Sequence, residues 1–568
     1  MKYKFFICVF FSVISTAQTL KTPFELGNGN QTPTYGEMIK FYETLDTAHK
    51  NISIKTYGLT DSGEPLKVVF YDSAQKFDFK KKSVILINNG IHPGEPDGID
   101  ASMMMMRDFA EKRIKIPENL IIAVIQTYNI GGMLNRGKFS RANQNGPEEY
   151  GFRGNAKNYD LNRDFIKSDT KNTESFQEIF HELKPIYFID NHVSNGADYQ
   201  YTLTYITTNK ERLGKILGDY QEKELNRKIF ADLQTKGIDA IPYVNVWGKP
   251  VEKGYEQFMD SPRYATGYTS LFNTMGQVME THMLKPYPKR VQITYENMLS
   301  SVQFIDGNVQ NIRDLSEKNL KQFKSGKPYT INWKIDSVQV RMMDFKGYES
   351  GMKPSEISGK PRLSYDRNKP YTKKIPFYHS YISTKDIAIP RFYVVPKSEY
   401  KVVNHLKRNQ IKMTEIKKDS AANVQVYKIS DYKTYSRPYE GHYPHYQTVV
   451  TRKTEYVHLN KGDFLISTDQ PGVKYLLETL EPEAVDSFFN WNFFDSILSQ
   501  KEHYSPYVFE DTAAQLLKNN KALKTAFEME KAVKKEFSED GATQLEWVYQ
   551  NSDYFEKSYL RYPIYRIN

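Results

Sequence analysis

The stretch Ile87–Gly98, INNGIHPGEPDG, follows the apolar run SVILI and places His92 and Glu95 just after it. An apolar run of this length is typical of a buried strand, and the residues after such a strand lie at the sheet edge where α/β proteins place their sites. Gly94 permits a sharp backbone path and Pro93 stiffens it, so both side chains can reach one point. The stretch therefore predicts a site at the end of a buried strand.

Two further apolar runs deliver an unusual side chain near their carboxyl ends. His192 lies in FIDNHVSNG and Glu280 lies in GQVMETHM. Two imidazoles and one carboxylate suit Zn²⁺ and leave a fourth position for water, which is typical of catalytic zinc. A second carboxylate outside the ligand set is what such a site needs to move protons. Two alternatives stay open: His192 as a core histidine, and Asp190, on the same strand face, as part of a polar rim.

The order of patterns along the chain predicts its architecture. From about residue 34 to about 322, helix-like and strand-like stretches alternate, which indicates α/β structure. The tract from Glu296 to Phe323 has helical spacing and closes this part. Between residues 329 and 465 alternating patterns favour a mostly β region with one helix near SEYKVVNHLKRN, and residues 466–568 favour helices. The expected division is a signal peptide at 1–17, an α/β domain at 18–325, a mostly β domain at 329–465 and a mainly helical region at 466–568.

The start of the chain and its charge bear on location and partners. The segment MKYKFFICVFFSVISTAQT has the order of a secretory signal peptide. We expect cleavage near Ala17, a secreted or periplasmic protein and no integral membrane segment afterwards. The single cysteine, Cys8, lies inside this segment, so the mature protein has none for disulfides. Lys and Arg (78) are dispersed among Asp and Glu (68), so the net charge of +10 indicates a solvated surface and no nucleic-acid partner.

A further motif follows in SRANQNGPEEYGFRGNAKNYDLNRDF, which contains Arg141 and then DLNRD from Asp160 to Asp164. Taken in order, HxxE, the arginine, DLNR, the histidine and the glutamate resemble the zinc carboxypeptidase family, the relatives of carboxypeptidases A and B. The likeness covers roughly residues 85 to 285, about a third of the chain. The resemblance implies a mixed-sheet α/β catalytic domain with one zinc ion per chain.

The resemblance also implies a metal centre and a base. It implies three zinc ligands, which are His92, Glu95 and His192. Glu280 corresponds to the general base that activates the zinc-bound water. Asp160 corresponds to a carboxylate that orients a ligand imidazole.

Other residues correspond to substrate contacts of the family. Arg141 matches the arginine that polarises the scissile carbonyl. Asn162 and Arg163 match the pair that binds a substrate's terminal carboxylate. A family tyrosine that covers the substrate corresponds to Tyr264 or Tyr268, and the run YATGYTS favours Tyr264.

One residue departs from the family pattern. Asp164 stands where the digestive enzymes have asparagine. We expect its charge to lie beside the carboxylate-binding pair, which leaves a substrate other than a simple peptide terminus open. The alternative is that Arg163 and Asp164 form only a surface ion pair, since DLNRD also occurs by chance at helix starts.

Together these motifs predict an exported zinc-dependent metallocarboxypeptidase, a hydrolase that cleaves the C-terminal peptide bond of peptides through a zinc-activated water. The expected substrate is a peptide or an N-acyl amino acid with a free carboxylate. One alternative is therefore a zinc amidohydrolase that acts on N-acyl amino acids or cell-wall peptides. The alternative outside enzymes is a surface glycan-binding protein that keeps a silent catalytic pocket and binds through its Tyr-rich rear half.

Overall fold

The computed structural model describes residues 20–568. The predicted signal peptide, its cleavage point and Cys8 lie outside these described residues. Within residues 20–568, no helix combines the length and the apolar character needed to cross a membrane.

A mixed sheet forms the centre of the first part of the chain. The strands of this part are β1 (Ile52–Leu59), β2 (Pro65–Tyr71), β3 (Ser83–Asn88), β4 (Leu120–Ile125), β5 (Tyr187–Ser194), β6 (Leu203–Thr207), β7 (Ala240–Pro242), β8 (Tyr255–Glu256) and β9 (Met275–His282). All except β8 form one eight-stranded sheet of order β1-β2-β4-β3-β5-β9-β6-β7. β4, β3, β5 and β9 are parallel neighbours, and β2 and β6 flank them antiparallel. The predicted mixed-sheet α/β fold is confirmed.

Helices cover both faces of this sheet. The helices of the first part are α1 (Pro23–Leu26), α2 (Tyr35–Ala48), α3 (Asp97–Ala110), α4 (Ile130–Leu134), α5 (Lys171–Leu183), α6 (Lys210–Leu213), α7 (Lys215–Tyr220), α8 (Asn226–Thr235), α9 (Ala265–Ser270), α10 (Tyr287–Asp306) and α11 (Val309–Leu320). α2, α3 and α10 pack on one face, and α5 and α9 pack on the other. The tract predicted as one helix is divided after Asp306, because Gly307 at the break has low helix propensity.

The central strand β3 is buried along its whole length. Successive side chains of a strand point to opposite faces, so Val84 and Leu86 pack on one side and Ile85 and Ile87 on the other. Parallel strands covered on both faces need such continuous apolar runs. The run therefore fixes β3 in the middle of the sheet, with the HPGE stretch at its carboxyl end.

Residues 328–568, which we call the accessory region, form further sheets and helices. Its strands are β10 (Pro328–Ile335), β11 (Val340–Pro354), β12 (Pro361–Tyr378), β13 (Tyr381–Ala388), β14 (Phe392–Val395), β15 (Thr414–Glu415), β16 (Ser420–Thr434), β17 (His445–Leu459), β18 (Phe464–Ser467) and β19 (Tyr565–Ile567). Its helices are α12 (Tyr400–Arg408), α13 (Val473–Leu480), α14 (Pro506–Asn519), α15 (Lys521–Val533), α16 (Lys535–Glu539) and α17 (Gly541–Gln550). α12 is the helix that the sequence places inside the β region.

The accessory sheets include strands from distant parts of the chain. β10 pairs with β13, and β8 of the first part joins β11 and β12. The remaining strands form a six-stranded sheet of order β15-β18-β14-β19-β16-β17. β19, at the end of the region predicted to be helical, therefore pairs with strands of the β region. A strand of three residues is too short for its sequence pattern to predict this pairing.

The accessory region shares one apolar core with the first part. Phe272, between α9 and β9, stacks on Tyr475 of α13 with ring centroids 5.7 Å apart, and contacts Phe180 of α5 at the same separation. These side chains belong to one continuous buried cluster. The accessory region therefore packs against the first part of the chain through a shared apolar core.

Asp164 is a buried structural residue before α5. Its carboxylate accepts hydrogen bonds from Lys167 Nζ at 2.7 Å and from the Thr170 and Thr173 hydroxyls at 2.6 Å each. The side chain is fully buried and does not line the cavity described below. The expectation that Asp164 adds charge beside the carboxylate-binding pair is wrong, because neighbouring donors bind that charge inside the protein.

Replacing Asp164 with asparagine tests this structural role. We expect Asp164→Asn to lower the free energy of unfolding by about 3 kcal/mol, because it removes one partner of the buried ion pair with Lys167. Urea-induced unfolding followed by circular dichroism measures the change. The control Asp219→Asn removes an exposed partner of Lys223 and should change the free energy by less than about 1 kcal/mol. Equal losses in both variants would contradict the assignment.

Candidate active site

A cavity of about 540 Å³ lies at the carboxyl ends of β5 and β9. Eight of the nine residues that the sequence singles out line it, namely His92, Glu95, Arg141, Asn162, Arg163, His192, Tyr264 and Glu280. The ninth, Asp160, contacts the His92 ring. The fold therefore brings together residues that are spread over almost two hundred positions of sequence.

Glu95 lies between two imidazoles at the base of this cavity. Its Oε1 lies 3.4 Å from His92 Nδ1, and its Oε2 lies 3.0 Å from His192 Nδ1. One potential ligand atom from each residue falls within 4.8 Å of the other two. Each of these side chains is less than a tenth exposed. Two nitrogen donors and a carboxylate around one point make a donor set suited to a divalent metal.

The far nitrogen of each ring is fixed by a carboxylate. His92 Nε2 lies 2.9 Å from Asp160 Oδ1, and His192 Nε2 lies 2.9 Å from Asp190 Oδ2. Both rings are therefore oriented with Nδ1 toward Glu95. A hydrogen bond at one ring nitrogen sets the tautomer that leaves the other free to bind a metal. Asp190 thus supports the site and is not a rim residue, and His192 is not an isolated core histidine.

The charges around these rings favour a cation at the centre of the group. Burial would lower the pKa of His192, but Asp190 and Glu95 raise it well above its usual value. Burial would likewise raise the pKa of Glu95, but the charges of Arg141 and His92 hold it well below its usual value. Positive charge beside the buried Glu95 carboxylate is therefore favoured, and a metal ion between the three residues would supply it.

The HPGE turn depends on a close approach at Gly94. Glu95 N donates to His92 O at 2.8 Å, which closes the turn. A Cβ atom at Gly94 would lie 2.7 Å from Arg141 Cδ and 2.9 Å from the carbonyl oxygen of Gly151. Any side chain would therefore displace Arg141 or the facing backbone. The sequence prediction that this turn directs both side chains to one point agrees with the geometry.

Glu280 is the neighbour of His192 across two parallel strands. The two residues are register partners on β5 and β9, so their side chains share one face of the sheet. Burial raises the pKa of Glu280 to about 8, with the negative charges of Glu95 and Asp190 acting in the same direction and His192 opposing them. A cation among His92, Glu95 and His192 would lower this pKa again. The carboxylate therefore suits proton transfer inside the cavity.

Two arginines approach the Glu95 carboxylate. Arg141 Nη1 lies 2.9 Å from Glu95 Oε1, while its Nε donates to Gln144 and its Nη2 to Val193 O. Arg153 Nη1 lies 3.7 Å from Glu95 Oε1 and 3.3 Å from His92 Nδ1. The Arg141 side chain is 12% exposed and that of Arg153 is 46% exposed. Arg141 is thus fixed inside the protein, and Arg153 is the more accessible of the two.

Asn162 and Arg163 lie in a 3₁₀ turn, Leu161–Arg163, at one side of the cavity. Asp160 precedes the turn and accepts a hydrogen bond from Asn162 N at 2.9 Å. Asn162 Oδ1 is buried without a hydrogen-bond partner in the described chain. The Arg163 guanidinium lies 4.6 Å from the centroid of the Tyr264 ring. The guanidinium, stacked on an aromatic ring, and the side-chain NH2 of Asn162 are donors suited to an anionic group, whereas Asn162 Oδ1 can only accept.

The two candidate tyrosines have different positions. Tyr264 lines the cavity, and its ring packs edge-on to Phe258 at 5.4 Å. Tyr268 is fully buried, and its hydroxyl donates to Asn409 Oδ1 at 2.6 Å. Burial raises the pKa of Tyr264 to about 12, so its hydroxyl is neutral and can donate. Of the two, only Tyr264 can contact a molecule in the cavity.

Sequence reasoning missed several residues that line the cavity. They are Arg153, Tyr243, Trp247 and Asp260. Tyr243 directly follows β7, but none of the four belongs to a motif that the sequence reveals. Arg153 shortly precedes the DLNR motif, and this closeness is the one sequence feature that could have identified it.

Comparison with known proteins gives relatives of a consistent kind. No family model matches the chain. The chain is 22% identical over 443 residues to carboxypeptidase 2 of Trichophyton equinum, and this match covers 74% of the chain and 76% of the relative. It is 21% identical over 440 residues to carboxypeptidase 2 of Trichophyton rubrum, and that match covers 72% of the chain and 73% of the relative.

Solved structures give a weaker likeness of the same kind. One is the metallo-carboxypeptidase from Pseudomonas aeruginosa in complex with (2-guanidinoethylmercapto)succinic acid, with 13% identity and a TM-score of 0.37. The likeness covers 49% of this chain and 70% of that one. The motif order, the meeting of the motif residues in one cavity and the curated relatives together confirm that the chain resembles the zinc carboxypeptidase family.

Proposed function

We propose that this chain is an exported zinc-dependent metallocarboxypeptidase that hydrolyses the C-terminal peptide bond of peptides. The observation that carries the proposal is the content of one cavity, which contains a possible metal-binding group, a carboxylate beside it and an anion-binding pair. A hydrolase that acts on chain ends needs these three parts within reach of one substrate. Export is proposed from the signal-like start of the chain.

The anion-binding pair selects the end of the substrate. Arg163 presents a planar guanidinium that can form two parallel hydrogen bonds to a carboxylate. The Tyr264 ring beneath it restricts its orientation, and Asn162, which lines the same cavity, can donate from its side-chain NH2. A peptide with a free C-terminus would bind through this pair, with its last peptide bond directed toward the metal-binding group.

His92, Glu95 and His192 would hold the zinc ion, and the buried donor set fits that role. When bound, Zn²⁺ would supply a Lewis acid and lower the pKa of a water molecule in the cavity. Asp160 and Asp190 would keep the two imidazoles oriented. Glu280 would accept a proton from the attacking water at its carboxylate and return it to the nitrogen of the leaving amine.

Arg141 and Arg153 are both candidates for polarising the scissile carbonyl. The three hydrogen bonds of Arg141 to Gln144, Glu95 and Val193 leave it little freedom to turn toward a substrate. Arg153 is also held, because its Nε and Nη2 donate to Asp160 Oδ2 at 3.0 and 2.8 Å. Its side chain is nevertheless 46% exposed, and its Nη1 faces the His92 Nδ1 atom. We therefore assign carbonyl polarisation to Arg153 and the fixing of Glu95 to Arg141, which revises the role that the family resemblance implies for Arg141.

Replacing Glu280 with glutamine tests the proposed chemistry. We expect Glu280→Gln to lower kcat by about 10³-fold, because the amide cannot accept the proton. Release of the last residue from peptides with a free C-terminus, measured by amine detection, provides the assay. The control Glu256→Gln changes an exposed carboxylate outside the cavity and should keep full activity.

The substrate panel separates the candidate activities. Peptides with a C-terminal amide should remain intact, because they lack the carboxylate. If the enzyme cleaves N-acyl amino acids but leaves peptides with a free C-terminus uncleaved, the amidohydrolase alternative is supported. If the Glu280→Gln variant is as active as wild type, the proposed role of Glu280 is contradicted.

The two arginines can be distinguished by substitution. We expect Arg153→Ala to lower kcat by about 10²-fold, because one donor to the developing oxyanion is lost. Arg141→Ala should act mainly by loosening Glu95, so its activity should recover when excess zinc is supplied, whereas that of Arg153→Ala should not. Steady-state kinetics with and without added zinc measures both effects. Recovery of Arg153→Ala with zinc would instead favour Arg141 as the polarising residue.

A further inference from the structure

A turn of the accessory region contacts the segment that carries the anion-binding pair. This turn, Tyr439–His442, connects β16 to β17 and lies against the DLNR segment of the first part. Glu440 Oε2 accepts a hydrogen bond from the backbone N–H of Asp160 at 2.9 Å. His442 Nε2 lies 2.7 Å from Asp169 Oδ2. One contact is therefore at the first residue of the DLNR segment, and the other is six residues beyond its last residue.

The backbone of the turn is shaped for this contact. Tyr439 N donates to His442 O at 2.8 Å, and His442 N donates to Tyr439 O at 3.1 Å. Glu440 and Gly441 both have positive φ, at 48° and 81°. A Cβ atom at Gly441 would lie 2.9 Å from the Tyr159 ring. Gly441 thus allows the turn to lie directly on the residue before Asp160.

Tyr439 packs on a cationic side chain of the first part. Its ring lies 5.6 Å from the Arg263 guanidinium, which Asp486 of the accessory region fixes through its own carboxylate. The ring also stacks on Trp491 of the accessory region, with ring centroids 6.3 Å apart. The accessory turn therefore contacts the first part through a backbone hydrogen bond at Asp160 and through the Tyr439 ring at Arg263.

Asp160 connects this contact to the rest of the site. Its Oδ1 accepts from Asn162 N and faces His92 Nε2. Fixing the Asp160 backbone therefore limits the movement of the residues that follow it. Side chains held in place before binding lose less conformational entropy when a substrate arrives, which improves affinity.

We propose that Glu440 is a positioning residue of the accessory region, which holds Asn162 and Arg163 ready for the terminal carboxylate of a substrate through its hydrogen bond to the Asp160 backbone. The role in substrate affinity rests on the proposed carboxypeptidase function. The contact itself does not, so the two can be tested separately. The accessory region is thus part of the substrate-binding apparatus, although none of its residues lines the cavity.

Amide hydrogen exchange tests the contact without any assay of activity. In the full-length protein, Glu440→Ala should speed exchange at Asp160 by at least about tenfold, because the amide loses its acceptor. Glu440→Gln retains an acceptor oxygen and should stay close to wild type. The matched control Glu415→Ala removes an exposed glutamate of the same region and should not change exchange at Asp160. Unchanged exchange in Glu440→Ala would overturn the positioning role of Glu440.

Steady-state kinetics tests the consequence for substrate binding. Glu440→Ala should raise KM for a peptide with a free C-terminus by about fivefold to tenfold, with kcat changed by less than about twofold, because the anion-binding pair is no longer held in place. Zinc content should equal that of wild type. A fall in kcat at constant KM, or unchanged kinetics, would overturn the role of Glu440 in substrate binding. If wild type cleaves no peptide while Glu440→Ala speeds exchange, the proposed function fails and the positioning of the DLNR segment stands.

Discussion

The Glu95 carboxylate, held between two imidazoles, is the interaction on which the site depends. It lies within a chain of alternating groups that runs from Asp190 through His192, Glu95 and His92 to Asp160. Three buried or nearly buried carboxylates in one chain are stable only if positive charge lies between them. Protonated rings or a metal ion can supply that charge, and Arg141 and Arg153 add to it from outside. The surrounding structure can be understood as support for this arrangement.

The sheet provides most of that support through strand register. β3, β5 and β9 are buried parallel neighbours, so the residues at their carboxyl ends meet at one edge. Pairing of His192 with Glu280 places the base candidate beside a ligand candidate without any loop to position it. The HPGE turn then brings His92 and Glu95 across the end of β3. A shift of β9 by one residue would turn Glu280 to the opposite face.

The sequence was informative where chemistry coincides with a strand end. His92, Glu95, His192 and Glu280 all follow or end apolar runs, so their convergence could be predicted from pattern and topology alone. Arg153 reaches the cavity from an irregular loop, where no periodic sequence pattern predicts the direction of a side chain. The burial of Asp164 depends on Lys167, Thr170 and Thr173, whose directions no pattern defines.

The accessory region shows the same limit more strongly. Its β character was clear from composition, but the contact of Glu440 with Asp160 joins residues 280 positions apart. Contacts of this kind depend on how two separately patterned regions pack, and that packing is set by apolar surfaces such as those of Phe272 and Tyr475. The glycine at position 441 indicates a turn, but the sequence does not indicate that this turn contacts Tyr159 and Asp160.

The central claim is that His92, Glu95 and His192 bind a metal ion. Metal analysis of the purified mature protein tests it most directly, with His192→Ala and the exposed-histidine control His458→Ala measured alongside wild type. The account predicts about one zinc ion per chain in wild type and in His458→Ala, and none in His192→Ala. Absence of bound zinc in wild type after incubation with zinc at neutral pH, or equal zinc in His192→Ala, would contradict it.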